Sequence, residues 1–183
     1  YIPEDSQTEL LLQQVEQARS AGDSVGGVVA CRIINPCIGL GEPVYEKLEA
    51  KLAYAMLSIP ASKGFEIGKG FSASQLRGSQ HNDGMYIDAN KPAFASNHAG
   101  GTLGGISTGE TISFNVAFKP TSSIKQTQST VNAAGEDTTI SLPKGSRHDP
   151  CVAIRAIPVV AAMAKCVIAD CILMQQTTTL DIT

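Results

Sequence analysis

The chain reads as α+β, and three stretches carry that reading. Residues 111–118 alternate, with Ile112, Phe114, Val116 and Phe118 on one side and Thr111, Ser113, Asn115 and Ala117 on the other, the period of a half-buried strand. Residues 150–175 are almost wholly apolar and long enough for a helix rather than a strand. Residues 6–21 are rich in Leu, Gln and Glu, with Leu11, Val15 and Ala18 at helical spacing. Helices and strands are thus both read within one chain, the mixed composition of an α+β fold.

In order, Ser6 and Glu9 have the spacing of a capping box, and Gly22 follows as a stop for the first helix. Residues 25–34 are rich in Val and Ile with two glycines, a strand at which another backbone comes close, ended by Asn35-Pro36. Pro43 fits the first turn of a second helix whose stripe is Val44, Leu48, Leu52, Ala55 and Ile59, and Pro60 terminates it. Residues 64–71 suggest a short strand. Residues 72–96 have weak periodicity and turn residues at Gly78, Gly84 and Asn90-Lys91-Pro92, so they read as a lid or binding loop. Residues 125–141, rich in Thr, Gln and Ser around Ala134-Gly135-Glu136, read as a hairpin. Asp149 is placed to cap the final helix, and Pro158 inside it is expected to kink it or to move its start later.

The 183 residues suffice for one domain with a sizeable core, and no repeat or linker divides them, so residues 1–183 are read as a single domain. With 43% hydrophobic and 17% charged residues, the bulk composition is that of a soluble globular protein. A net charge of −3 argues against a nucleic-acid surface, so any anion site must be local. The five cysteines form no Cys-x-x-Cys pair and suggest neither a disulfide framework nor zinc; Cys166 and Cys171 are expected to pack as small hydrophobes in a reducing compartment. No apolar run is read as reaching the 18 residues of a membrane span, and no signal segment is read at the start, so no membrane partner and a cytoplasmic location are expected. The chain begins Tyr1-Ile2-Pro3-Glu4 without Met, read as a processed or missing start.

Four polar segments could carry chemistry. Lys119-Pro120-Thr121-Ser122-Ser123 emerges from the end of the alternating strand, where a cation beside three hydroxyls suits a phosphate or a flavin edge, or simply a turn. Gly145 to Pro150 sets Arg147, His148 and Asp149 before a helix, as an oxyanion clamp with a cap or as a cap with a solvated Arg. Residues 97–105 hold four glycines within six positions, which permit close approach to a ligand or make a tight turn into the strand; the dinucleotide fingerprint is absent. Arg77 precedes Gly78-Ser79-Gln80-His81-Asn82-Asp83, whose His81 and Asp83 lack a third ligand, so no metal site is expected. A hydrolase triad of Ser79, His148 and Asp149 would need a nucleophile elbow that the chain lacks.

From Val25 to Met174 the chain resembles the C-terminal half of chorismate synthases. The resemblance rests on Gly39-Leu40-Gly41-Glu42-Pro43-Val44-Tyr45-Glu46-Lys47-Leu48, on Lys63-Gly64-Phe65-Glu66-Ile67-Gly68, on Gly78-Ser79-Gln80, on the glycine run, on Val116 through Ser123, and on Arg147-His148-Asp149-Pro150-Cys151-Val152, all in the family's order. It implies a β-α-β sandwich with helices between antiparallel sheets, usually a homotetramer. It also implies anti-1,4 elimination of phosphate from 5-enolpyruvylshikimate-3-phosphate to give chorismate, with reduced FMN. By the same resemblance Gln80, His81, Gly104, Lys119, Pro120, Thr121, Ser122, Ser123 and Arg147 hold the flavin, Asp149 assists proton transfer at the flavin N5, and Arg155 adds positive potential.

The family's N-terminal catalytic His and Arg motifs, including Gly-Glu-Ser-His-Gly and an Arg-rich Ser-Ala-Arg segment, do not occur in this chain. The resemblance thus implies a fragment whose partner is the missing N-terminal half, inactive alone. The alternative is a non-catalytic module that binds flavin or phosphate and serves assembly. Reduction of the flavin by the same protein, with NADP, has no residue signature here.

Overall fold

The computed structural model describes residues 6–143 and 145–178. The elements run α1 (Ser6–Ser20), β1 (Gly27–Ile33), α2 (Leu48–Leu57), β2 (Ser62–Ile67), a 3-10 turn (Gly70–Gln75), α3 (Gly78–His81), β3 (Met85–Asp88), β4 (Lys91–Phe94), β5 (Thr102–Leu103), β6 (Ile106–Ser107), β7 (Ile112–Phe118), β8 (Gln128–Val131), β9 (Asp137–Ile140) and α4 (Val152–Thr178). β7 lies between β1 and β2 in a three-stranded antiparallel sheet, and β3–β4, β5–β6 and β8–β9 are separate two-stranded hairpins. The registers set Gly27 against Phe118 and Ile33 against Ile112 on one side of β7, and Ile67 against Phe114 on the other.

The alternation read in residues 111–118 is the packing plan of the sheet. Ile112, Phe114, Val116 and Phe118 are all at most 4% exposed, whereas the residues between them are half-buried. Their buried side joins Leu48, Leu52 and Met56 of α2 and Ala153, Ala156, Val160 and Ala164 of α4 in one cluster. A row of Ala on α4 lets that helix lie close to β1: a Cβ on Gly27 would come within 2.8 Å of the Ala153 methyl. Antiparallel sheet and helix layer thus form one side of the expected sandwich.

Several boundaries differ from expectation. α2 begins at Leu48 rather than near Pro43, because Val44 takes a left-handed φ of 75° and its side chain is exposed. The intervening turn runs to the 104–105 hairpin, where the Gly105 carbonyl accepts from Leu48 N–H at 2.9 Å. Leu48, Leu52 and Ala55 are buried as the stripe predicts, and Ile59 is buried just past the helix. β2 ends at Ile67 because Gly68 and Gly70 both turn to positive φ. Residues 72–96 are built of the 3-10 turn, α3 and the β3–β4 hairpin rather than a featureless loop. On α1, Val15 packs on the core while Leu11 is 54% exposed, so the first helix buries less than its pattern suggests; its expected capping box involves Ser6, whose side chain lies outside the described residues.

α4 runs through Pro158 without a displaced start. It also corrects the reading of apolar length: its 27 residues contain a window of mean hydropathy 2.0, long and apolar enough by length and composition to cross a membrane. Only 17% of that window is buried here, and Ile154, Val159, Leu173 and Met174 are exposed. Cys171 is buried as expected, but Cys166 is exposed, because the two lie on different sides of α4. Replacing fully buried Leu52 by Ala removes side-chain volume between α2 and the sheet and is expected to cost about 2–5 kcal/mol, read as a lowered urea midpoint with an unchanged slope.

Candidate functional site

The end of β7 at Phe118 gathers two of the predicted segments. β7 is central, so the chain leaving it after Phe118 is flanked by both neighbours; Lys119 N–H donates to the Ala61 carbonyl at 2.9 Å, beside the end of α2. Thr121 Oγ1 donates to the Asp149 carbonyl at 2.9 Å, and Ser24 Oγ donates to the Thr121 carbonyl at 2.7 Å. His148 Nε2 lies 3.1 Å from the Asp23 carbonyl, and the Pro150 carbonyl accepts from Val25 N–H at 2.8 Å. The segments 119–123 and 147–149, far apart in sequence, therefore form one rim together with residues 23–25.

The charges on that rim are unevenly used. Asp149 is held at both oxygens: Oδ1 accepts from Cys151 N–H at 3.2 Å and Oδ2 pairs with Arg155 Nε at 3.0 Å, one turn into α4. Asp149 therefore does not cap α4, which begins three residues later at Val152: its carboxylate closes a turn on the Cys151 N–H just before the helix and reaches α4 only through the ion pair with Arg155. The side chains of Lys119 and Arg147 are exposed and make no ion pair with another described residue. Two cations without a protein anion, beside the exposed Ser122 and Ser123, fit an anionic ligand such as a phosphate or a reduced flavin edge. Sequence reading did not find Ser24 or Ala61; nothing in their local sequence marks them, since their role is a contact made across the fold.

Gln80, His81 and Gly104 are placed elsewhere. Asn97 Nδ2 donates to the Thr111 carbonyl at 2.8 Å, and a Cβ on Gly101 would meet the Thr111 carbonyl at 2.8 Å, so the glycine run packs against the start of β7. The seven residues of β7, roughly 23 Å, separate this end from Lys119. Gly104 and Gly105, at φ 61° and 92°, are the two-residue turn of the β5–β6 hairpin, and Gly104 is open to solvent. Gln80 Oε1 accepts from Arg77 N–H at 2.9 Å and so caps α3.

The 97–101 turn and α3 are joined by a residue that sequence reading set aside. Asp83, its side chain 4% exposed, accepts from Ser96 Oγ at 2.6 Å and His98 N–H at 2.7 Å, and from Ala99 N–H at 2.9 Å. Burial pushes its carboxyl up, but these donors and the nearby His98 ring outweigh burial and hold it below the ordinary carboxylate value. Among the described residues no group of three or more His, Cys, Asp or Glu is arranged to hold a metal ion.

A sequence model of the family described as chorismate synthase matches residues 1–173. The chorismate synthase of Protochlamydia amoebophila is 61% identical over 162 residues, which cover 88% of this chain and 44% of that protein. That of Methylacidiphilum infernorum is 52% identical, with 90% and 44% covered. A crystal structure of chorismate synthase superimposes with a TM-score of 0.71 at 30% identity, covering 91% of this chain and 43% of that one. The chain spans a little under half the length of these relatives.

Because the folded-state value of Asp83 is depressed, its contribution to stability is present above the unfolded value, near 3.9, and is lost as pH falls through the folded value. Asp83→Asn keeps one acceptor oxygen and sets an NH2 against the Ala99 N–H. It is expected to cost about 1–3 kcal/mol at pH 7. Urea unfolding across pH 7 to pH 3 should show the gap to wild type closing at acid pH.

Proposed function

Since the chain belongs to the chorismate synthase family, we propose that it is the C-terminal portion of such an enzyme. In this reading it contributes the flavin-holding rim for the elimination of phosphate and a proton from 5-enolpyruvylshikimate-3-phosphate, which yields chorismate for aromatic amino-acid biosynthesis. The observation that carries the reading is the rim at the end of β7, where Thr121 is bonded to Asp149 and where Lys119 and Arg147 have no ion-pair partner among the described residues. When bound, reduced FMN supplies transient electron density to the allylic system without net redox change. Lys119 and Arg147 bind the anionic groups, Ser122 and Ser123 offer hydroxyl donors, and Thr121 fixes the loop against α4. Asp149, oriented by Arg155, would assist proton transfer at the flavin N5.

The remaining catalytic groups come, in this reading, from an N-terminal half. The uncovered side of α4, with Ile154, Val159, Leu173 and Met174 exposed, supports such a partner. The assembled enzyme is a cytoplasmic homotetramer and residues 1–183 belong to one domain of it. Gln80, His81 and Gly104 lie at the far end of β7, so they line a flavin held by a neighbouring copy. A second reading, a binding and assembly module without turnover, is favoured by the share of the relatives that the chain spans.

Anaerobic phosphate release from 5-enolpyruvylshikimate-3-phosphate with photoreduced FMN separates the two. Turnover is expected only when the chain is mixed with an N-terminal half; association of the halves without turnover supports the second reading. In the active mixture, Asp149→Ala is expected to lower turnover by about 100-fold or more while FMN still binds. Lys119→Ala should weaken FMN binding by roughly tenfold, the loss of one charged hydrogen bond, measured by flavin fluorescence titration.

A further inference from the structure

Beside His81, the Ile112 end of β7 holds three side chains whose chemistry the proposed elimination leaves unused: Asp83, Ser96 and His98. His98 Nδ1 lies 3.2 Å from the His81 carbonyl oxygen and 3.8 Å from Asp83 Oδ1. A carbonyl oxygen and a carboxylate can only accept, so both neighbours of Nδ1 call for the ring proton to sit there. The other nitrogen, Nε2, has no hydrogen bond to a described residue, and the ring is 29% exposed. A neutral histidine left to itself prefers the opposite form, with the proton on Nε2. The arrangement therefore imposes a form that the side chain does not choose alone.

What imposes it is traceable to Asp83. It stands two residues after His81, whose carbonyl is the acceptor, and its carboxylate grips the backbone N–H groups of His98 and Ala99. One buried side chain thereby anchors the backbone that carries the donor ring, two residues along the chain from the acceptor carbonyl, and Ser96 Oγ completes the carboxylate's shell. The His81 ring, its centroid 6.0 Å away, is the other titratable group beside His98.

We infer that Asp83 is a positioning residue that holds His98 with its proton on Nδ1, so that Nε2 is presented as a bare hydrogen-bond acceptor to a ligand offering an N–H or O–H edge at the glycine turn. This holds whether or not the rim at the other end of β7 binds a flavin. Its test is the two-bond proton–nitrogen correlation spectrum of the chain labelled with 15N-histidine, recorded above the pH at which the imidazoles are neutral, with His98 assigned by its loss in His98→Asn. The expected wild-type spectrum shows protonated Nδ1 and unprotonated Nε2, and Asp83→Asn shifts His98 to the Nε2–H form. A wild-type His98 protonated on Nε2 overturns the inference, whatever the variant does. An Asp83→Asn protein that keeps the full Nδ1–H form also overturns it, since the His81 carbonyl then suffices. If Asp83→Asn does not fold, Asp83→Ser, which removes the carboxylate and keeps a small acceptor, makes the same comparison with the same two outcomes.

Discussion

The contact of β7 with the helix layer is the constraint on which everything else hangs. Four alternate side chains, Ile112, Phe114, Val116 and Phe118, are buried against α2 and α4, while the same strand supplies hydrogen bonds to β1 on one side and β2 on the other. A slip of one residue would carry Ser113, Asn115 and Ala117 into the core and turn the four apolar side chains to water. The register of the sheet is therefore set by burial, and with it the places where the chain enters and leaves β7. Those two places are where the polar chemistry sits.

The separation of the two polar groups follows from this. α2 runs alongside β2, with its first residue bonded to the glycine hairpin and its far end beside Lys119; α4 starts next to Gly26 and Gly27 and ends near Gly39, where Gln175 Nε2 donates to the Ile38 carbonyl at 3.1 Å. Strand and both helices act as spacers of fixed length between the Lys119–Asp149 rim and the Asp83–His98 turn. Side chains at the two ends are held in a constant relation without touching.

Much of this was legible in the amino-acid order where local rules decide. The period of two in residues 111–118, the apolar length of α4 and the Gly135 turn of the β8–β9 hairpin each stand in the sequence. What was not legible depends on distant partners. The helix pattern from Val44 to Ile59 is continuous, yet tertiary hydrogen bonding to Gly105 and a left-handed Val44 delay the helix by a turn. Asp83 reads as an ordinary loop acid until Ser96, His98 and Ala99 fold around it. The union of Thr121 with Asp149 spans 28 residues, and the third member, Ser24, joins from 97 residues away. The segment Lys119 to Ser123 was identifiable by composition; its neighbours were not.

β1 and β2 each pair with β7 alone among the described residues, so the sheet has two open edges. Such edges recruit strands from any chain that comes near, and natural sheets restrain them with charge and irregularity. β2 carries both: Lys63 and Glu66 lie along it, and its register breaks between Ser62 and Gly64. β1 has one charge, Arg32, in an otherwise apolar or small run, and no break. The two borders are thus unequal gatekeepers: β2 is interrupted by charge and by a register shift, and a strand added to this sheet would meet fewer obstacles along the flatter β1.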